Sequence, residues 1–186
     1  IGNYFKNNSV DILVNNTQGP ASGGAMEKKV EDYQAAFDLL FKTVVYTSEL
    51  ALKGMIDQKY GRIINIASVS VKEPLSYLAL SNSIRAAVTT WAKTLAADVG
   101  KYGITVNSTL TGYFDTERLK NLNSAKAKSF GIPMEEVNQQ MLNNVPIGRF
   151  GDPKEYGYLV AFLASEQASF ITGANIPIDG GMLKSV

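Results

Sequence analysis

"GRIINIASVSVKEPLSYLALSNSIRAAVTTWAKTLAADVGKYGITVNSTL" (residues 61–110) places one helical pattern between two short apolar runs. The first run, "GRIINIAS" (61–68), reads as a buried strand introduced by Gly. From Leu80 to Val99, the residues Ile84, Val88, Trp91 and Leu95 recur at spacings of four, three and four, which is one face of a helix. "GKYG" (100–103) ends that helix, and "GITVNSTL" (103–110) is the next strand. A strand, a helix and a strand in this order form a crossover unit, so the two strands are expected to run parallel.

The same alternation continues outward. Upstream, "VDILVNN" (10–16) is a short apolar run rich in β-branched residues and closed by two Asn. Residues 28–56 lack Pro and carry Tyr33, Phe37, Leu40 and Val44 at helical spacing. Downstream, 111–150 is irregular, with two short helices and Gly/Pro punctuation. "DPKEYGYLVAFLAS" (152–165) opens a helix with Asp at the N-cap and Pro at its first position. "ANIPIDGG" (174–181) is a last strand and turn. No internal repeat or linker divides the chain, so residues 1–186 are expected to form one α/β domain, a doubly wound parallel sheet of Rossmann-like type. Ligands of such sheets sit beyond the carboxyl ends of the strands, which directs attention to 15–20, 68–76 and 110–118.

Composition prunes the chemistry. The chain has 186 residues, 45% hydrophobic and 19% charged, with a formal net charge of +1. That is ordinary for one globular domain and lacks the basic cluster of a nucleic-acid footprint. No apolar run approaches a membrane span. With no Cys and no His, a thiolate nucleophile, a Ser-His-Asp triad and the usual zinc sites are excluded, and no metal site is expected. Acid–base chemistry must fall to Tyr, Lys, Asp or Glu.

At the three strand ends the chain resembles a short-chain dehydrogenase/reductase, from about residue 10 to the end. "NNTQGP" (15–20) stands where that family has Asn-Asn-Ala-Gly, and "GRIINIAS" ends at its catalytic Ser. "AAVTTWAKTLAADVGKYGITVNSTLTGYFDT" (86–116) matches the next helix, strand and turn, and "GRFGDPKEYGYLVAFLASEQASFITGANIPIDGG" (148–181) the C-terminal third. The resemblance implies a seven-stranded sheet of which this sequence would supply the C-terminal two-thirds. The Gly-rich pyrophosphate turn is absent from the sequence, and an N-terminal cofactor-binding portion is expected to precede residue 1. Without it, strand 10–16 would present an apolar edge to water.

The family's site is an Asn–Ser–Tyr–Lys set. Ser68 matches the Ser, but Ser81 stands at the Tyr position, Arg85 at the Lys position and Leu40 at the Asn position. A serine hydroxyl is a poor proton donor beside a phenol, and Arg85 stays protonated, so the family's ordinary proton transfer cannot run through these residues. "LSN" (80–82), three residues before Arg85, and an "NTGGP"-like loop resemble an oxoacyl reductase-like branch, with Gln18 in place of a loop Gly.

The resemblance implies Ser68, Ser81 and Arg85 as catalytic residues. It implies Asn15, Arg85, Gly112, Phe114 and Thr116 as contacts to NAD or NADP, with Thr111 replacing the habitual Pro of that turn. Each has a plainer alternative: Ser68 capping a turn, Ser81 and Asn82 opening a helix, Arg85 pairing with an acid, Asn15 tying neighbouring strands together. Tyr77 is four residues before Ser81 and would share its face only if the helix began early. Pro74 argues instead for an extended approach, and Lys72 is a weaker substitute still. The implied protein is a cytoplasmic homodimer or homotetramer acting on a small carbonyl or alcohol substrate, with 111–150 as a substrate lid and neither nucleic acid nor membrane as partner. A catalytically inactive nucleotide-binding or scaffold subunit of the same fold is the alternative.

Overall fold

A computed structural model describes residues 1–185. Four strands, β1 (Ile12–Asn15), β2 (Gly61–Ile66), β3 (Ile104–Thr111) and β4 (Asn175–Ile178), form one sheet in that spatial order, every neighbouring pair parallel. The register pairs Asn15 with Asn65, Ile66 with Thr109 and Thr111 with Ile178. All the strands therefore point their carboxyl ends the same way.

Alternation along the central strands assigns residues to two faces. Ile63, Ile104 and Val106 pack against α2 (Thr43–Gln58) and α3 (Ala79–Val99), through Ala51, Met55, Ala92, Ala96 and Val99. Ile64 packs on the opposite face against Leu163 of α6 (Pro153–Ala164) and Ala168. Helices on both faces make the sheet doubly wound and Rossmann-like, as expected. In α3 the spacing places the right face inward, with Val88, Ala92, Ala96 and Val99 buried on it and Trp91 and Leu95 at the flank. Small side chains let the helix axis approach the sheet, and the large ones close the sides.

The long helix expected over 28–56 begins as α1 (Val30–Phe37) and is interrupted. Asp38–Lys42 form a single π turn, in which the Thr43 N–H reaches the Asp38 carbonyl, before α2 continues. Lys59 then takes a left-handed conformation, and Gly103 meets it. At Gly103 φ is +71°, and a Cβ would fall 2.6 Å from the Lys59 carbonyl oxygen. Only glycine fits that turn. The two short helices expected within 111–150 are α4 (Glu117–Phe130) and α5 (Met134–Leu142). They pack through Ala127, Val137 and Met141, and Asn123 donates to Asn138 at 2.8 Å. α6 opens with a reciprocal cap between Asp152 and Glu155, and Glu155 also accepts two bonds from Arg149 at 2.7 and 2.8 Å. On β1, Ile12 and Val14 are 45% and 41% exposed. No described helix is long and apolar enough to cross a membrane.

Candidate active site

The loops after β1, β2 and β3 converge on a cleft of about 660 Å³, closed by the first turns of α3, α4 and α6. β2 delivers Ser68, whose backbone is still extended and whose Oγ accepts the Ser70 N–H at 3.1 Å. α3 delivers Ser81 and Arg85, four residues apart on one face. Ser81 is 9% exposed. Arg85 is half-buried and donates from Nη1 to the Ile66 carbonyl at 2.5 Å and from Nη2 to the Thr17 carbonyl at 3.4 Å. It thus ties the ends of β1 and β2 together. Burial lowers its pKa below the ordinary guanidinium value, and nearby Arg118 adds to this while Tyr156 opposes it. The group remains a cation at neutral pH.

The turn after β3 supplies Thr111, Gly112, Phe114 and Thr116. A Cβ on Gly112 would lie 2.6 Å from the Asp179 Cα, so the end of β4 excludes any side chain there. Phe114 is buried and meets the Tyr156 ring edge-on at 5.0 Å. Thr116 caps α4, its Oγ1 accepting the Leu119 N–H at 3.3 Å.

Every implied site residue but Asn15 therefore lines this cleft. Asn15 is buried beneath it. Its Nδ2 donates to Ser48 Oγ at 3.2 Å and Asn65 Oδ1 at 2.9 Å, and its Oδ1 accepts from Thr47 Oγ1 at 2.7 Å. The next residue, Asn16, faces the cleft instead. Leu40 is buried inside the π turn and is not among the lining residues. Tyr77 lies in the turn before α3, 45% exposed, with Lys126 Nζ 5.9 Å from its ring. It does not share the face of Ser81 and Arg85.

Two polar lining residues were not foreseen from the sequence. Tyr156, from the first turns of α6, places its hydroxyl 2.5 Å from Thr109 Oγ1 and 2.8 Å from Thr111 Oγ1. Burial pushes its pKa up, while the two threonine hydroxyls and Arg85 pull it down less strongly. It is the only phenol among the described residues lining the cleft. Arg118, from the first turn of α4, stands at the mouth. Tyr156 carried a weak signal, being a Tyr four residues past the N-cap of the predicted helix. Arg118 carried none.

A family model described as Enoyl-(Acyl carrier protein) reductase matches residues 4–183. The 3-oxoacyl-[acyl-carrier-protein] reductase FabG of Vibrio cholerae is 34% identical over 173 residues, covering 93% of this chain and 66% of that protein. The NADPH-dependent reductase BacG of Bacillus subtilis is 34% identical over 179 residues, covering 95% and 68%. Among solved structures, YwfH, an NADPH-dependent reductase involved in bacilysin biosynthesis, superposes with a TM-score of 0.91 at 30% identity, covering 98% of this chain and 70% of its own. The L-sorbose reductase of Gluconobacter frateurii, solved with NADPH and L-sorbose, gives 0.91 at 31% identity with the same coverage. The chain spans about two thirds of the length of the curated relatives it matches.

Proposed function

Because the chain belongs to the short-chain dehydrogenase/reductase family, we propose that it carries the substrate-side part of an NAD- or NADP-dependent oxidoreductase interconverting a carbonyl and an alcohol, in the manner of 3-oxoacyl reductases. The observation that supports this best is the convergence of Ser68, Ser81 and Arg85 with Gly112, Phe114 and Thr116 on one cleft at the carboxyl ends of the strands. The donor set suits a dinucleotide. Hydroxyls, main-chain groups and two guanidiniums line the cleft, and no carboxylate does among the described residues, which fits ribose hydroxyls and a negatively charged diphosphate.

When bound, the nicotinamide supplies or accepts the hydride. The chain's own residues orient and protonate. The Ser68 and Ser81 hydroxyls fix the substrate oxygen. Arg85 has five N–H groups and uses two on main-chain carbonyls, leaving three for ribose hydroxyls or the substrate. In the arrangement where Thr109 and Thr111 both donate to its oxygen, the Tyr156 phenol has its own proton free to point into the cleft, a source that Ser81 and Arg85 cannot provide. In this reading 111–150, with α4 and α5, is the substrate lid. The protein is a cytoplasmic homo-oligomer, its contact built on the half-exposed Phe37 and Tyr46 of α1 and α2, which sedimentation of the full chain tests.

The test follows NADH and NADPH oxidation by the full chain with ketones and oxoacyl thioesters, beside the double variant Ser81→Tyr/Arg85→Lys. Turnover by the native chain supports the nonstandard site. A second reading, a nucleotide-binding or scaffold subunit, draws on the same Ser81 and Arg85 and on Arg85 being spent partly in tying two strands together. It takes the lead if only the double variant turns over.

A further inference from the structure

The charge on the cleft is one-sided. Arg85 and Arg118 are its only charged lining residues, and no Asp, Glu or Lys joins them among the described residues. Neither takes part in any ion pair among the described residues, where the pairs join Lys42 to Asp38, Lys120 to Asp115 and Arg149 to Glu155. Glu117 neighbours Arg118 in sequence but does not line the cleft.

Arg118 is exposed, yet it is placed. Its Nη2 lies 2.7 Å from where a Cβ on Gly19 would be, so the guanidinium rests directly on the backbone of the 17–20 loop. Arg85 reaches the same loop from beneath, at the Thr17 carbonyl. Arg118 also forms part of the wall of an adjoining outer pocket with Gln18, Asn121 and Leu122. Two guanidiniums held around one loop repel each other, as the lowering of the Arg85 pKa by Arg118 reflects. An anion between them removes that repulsion and gains charge-assisted hydrogen bonds from both.

We infer that the cleft holds an oxyanion, a carboxylate or phosphate group of its ligand, between Arg118 at the mouth and Arg85 at the base. Two sources share this chemistry: an acidic group on the substrate and the diphosphate of the dinucleotide. The inference deepens the oxidoreductase reading and rests on it for the identity of the ligand, but anion binding needs no turnover.

Isothermal calorimetry on the full chain compares native protein, Arg118→Ala and Arg118→Lys. The probes are inorganic phosphate, acetoacetate, its methyl ester and NADPH, with thermal melting to confirm that each variant is folded. The expected result is that the native chain binds at least one of the anions. Arg118→Ala should lose about tenfold in affinity for it, and Arg118→Lys should recover part of that loss. A loss confined to acetoacetate, with its ester unaffected, assigns the site to the substrate; a loss confined to NADPH assigns it to the diphosphate. If no anion binds, or all bind Arg118→Ala as tightly as native, the inference is overturned. Anion binding that responds to Arg118 in a chain that never oxidises NADPH leaves the oxyanion site standing while the oxidoreductase reading fails.

Discussion

Replacing Asn15 with Ala separates the two roles open to this residue. In the structure its side chain is the centre of a buried network joining β1, β2 and α2. Thr47 survives the loss, because its hydroxyl also reaches the Thr43 and Val44 carbonyls at 2.9 and 3.1 Å. Ser48 Oγ and Asn65 Oδ1 do not, since Asn15 is their one hydrogen-bond partner among the described residues. Asn65 is 1% exposed and Ser48 is 0% exposed, and Asn65 Nδ2 already lacks a partner. Two newly orphaned buried atoms at roughly 1–3 kcal/mol each give a loss of about 2–6 kcal/mol. For a chain of this size, at about 2–4 °C per kcal/mol, that is a fall in Tm of roughly 4–24 °C. Urea unfolding and thermal melting measure it, and NADPH titration runs alongside. Affinity for the dinucleotide should stay within about twofold, because Asn15 does not line the cleft. The double variant with Asn65→Ala should lose less than the sum of the two single losses. An Asn15→Ala protein that melts like the native chain but loses NADPH would refute this reasoning.

Other expectations follow from single contacts. Glu155 is held down to about 2 by the Arg149 hydrogen bonds and then by the Asp152 N–H. Its contribution is complete above the ordinary carboxylate range and disappears as pH falls from about 4.5 toward 2; Glu155→Gln should flatten the acid limb of a stability–pH curve. Tyr156 and Tyr113 are both pushed up by burial. Folding therefore retains their protons, and stability should decline as pH rises above the unfolded tyrosine value of about 10. Tyr156→Phe should soften that decline and, in carbonyl reduction, lower kcat more than it changes KM. Gly103→Ala forces a Cβ onto the Lys59 carbonyl at a positive φ, and chemical denaturation should show a loss of roughly 2 kcal/mol or more.

The strands, the crossover helices and the three loops that build the cleft were all legible, because periodicity and Gly/Pro punctuation are local signals. What periodicity does not carry is the direction in which one side chain points at the end of an element. Asn15 and Asn16 are adjacent and identical, and only the pleat of β1 sends the first inward and the second into the cleft. Tyr156 and Tyr158 flank Gly157 in the same helix, yet the first is held by two threonines of β3 while the second is 71% exposed. Arg118 lies in a polar run whose members differ only in what lies opposite them after folding. The π turn was invisible for another reason: Tyr33, Phe37, Leu40 and Val44 satisfy helical spacing across it, and the extra residue shows only in the hydrogen bonds.

That turn also sets the bookkeeping of helix phase. Each residue in an α-helix advances about 100° around the axis, so an uncompensated insertion would swing everything after it away from the sheet. The wider loop at Asp38–Lys42 takes up one residue as a bulge. Thr47 and Ser48 are therefore aimed at Asn15 by where the excess is stored, a full turn upstream, and a one-residue deletion within 38–42 would heal into plain α-helix without turning them aside. The same deletion a few residues later would rotate both hydroxyls out of the network. The segment is a place where this scaffold can change length without losing its aim.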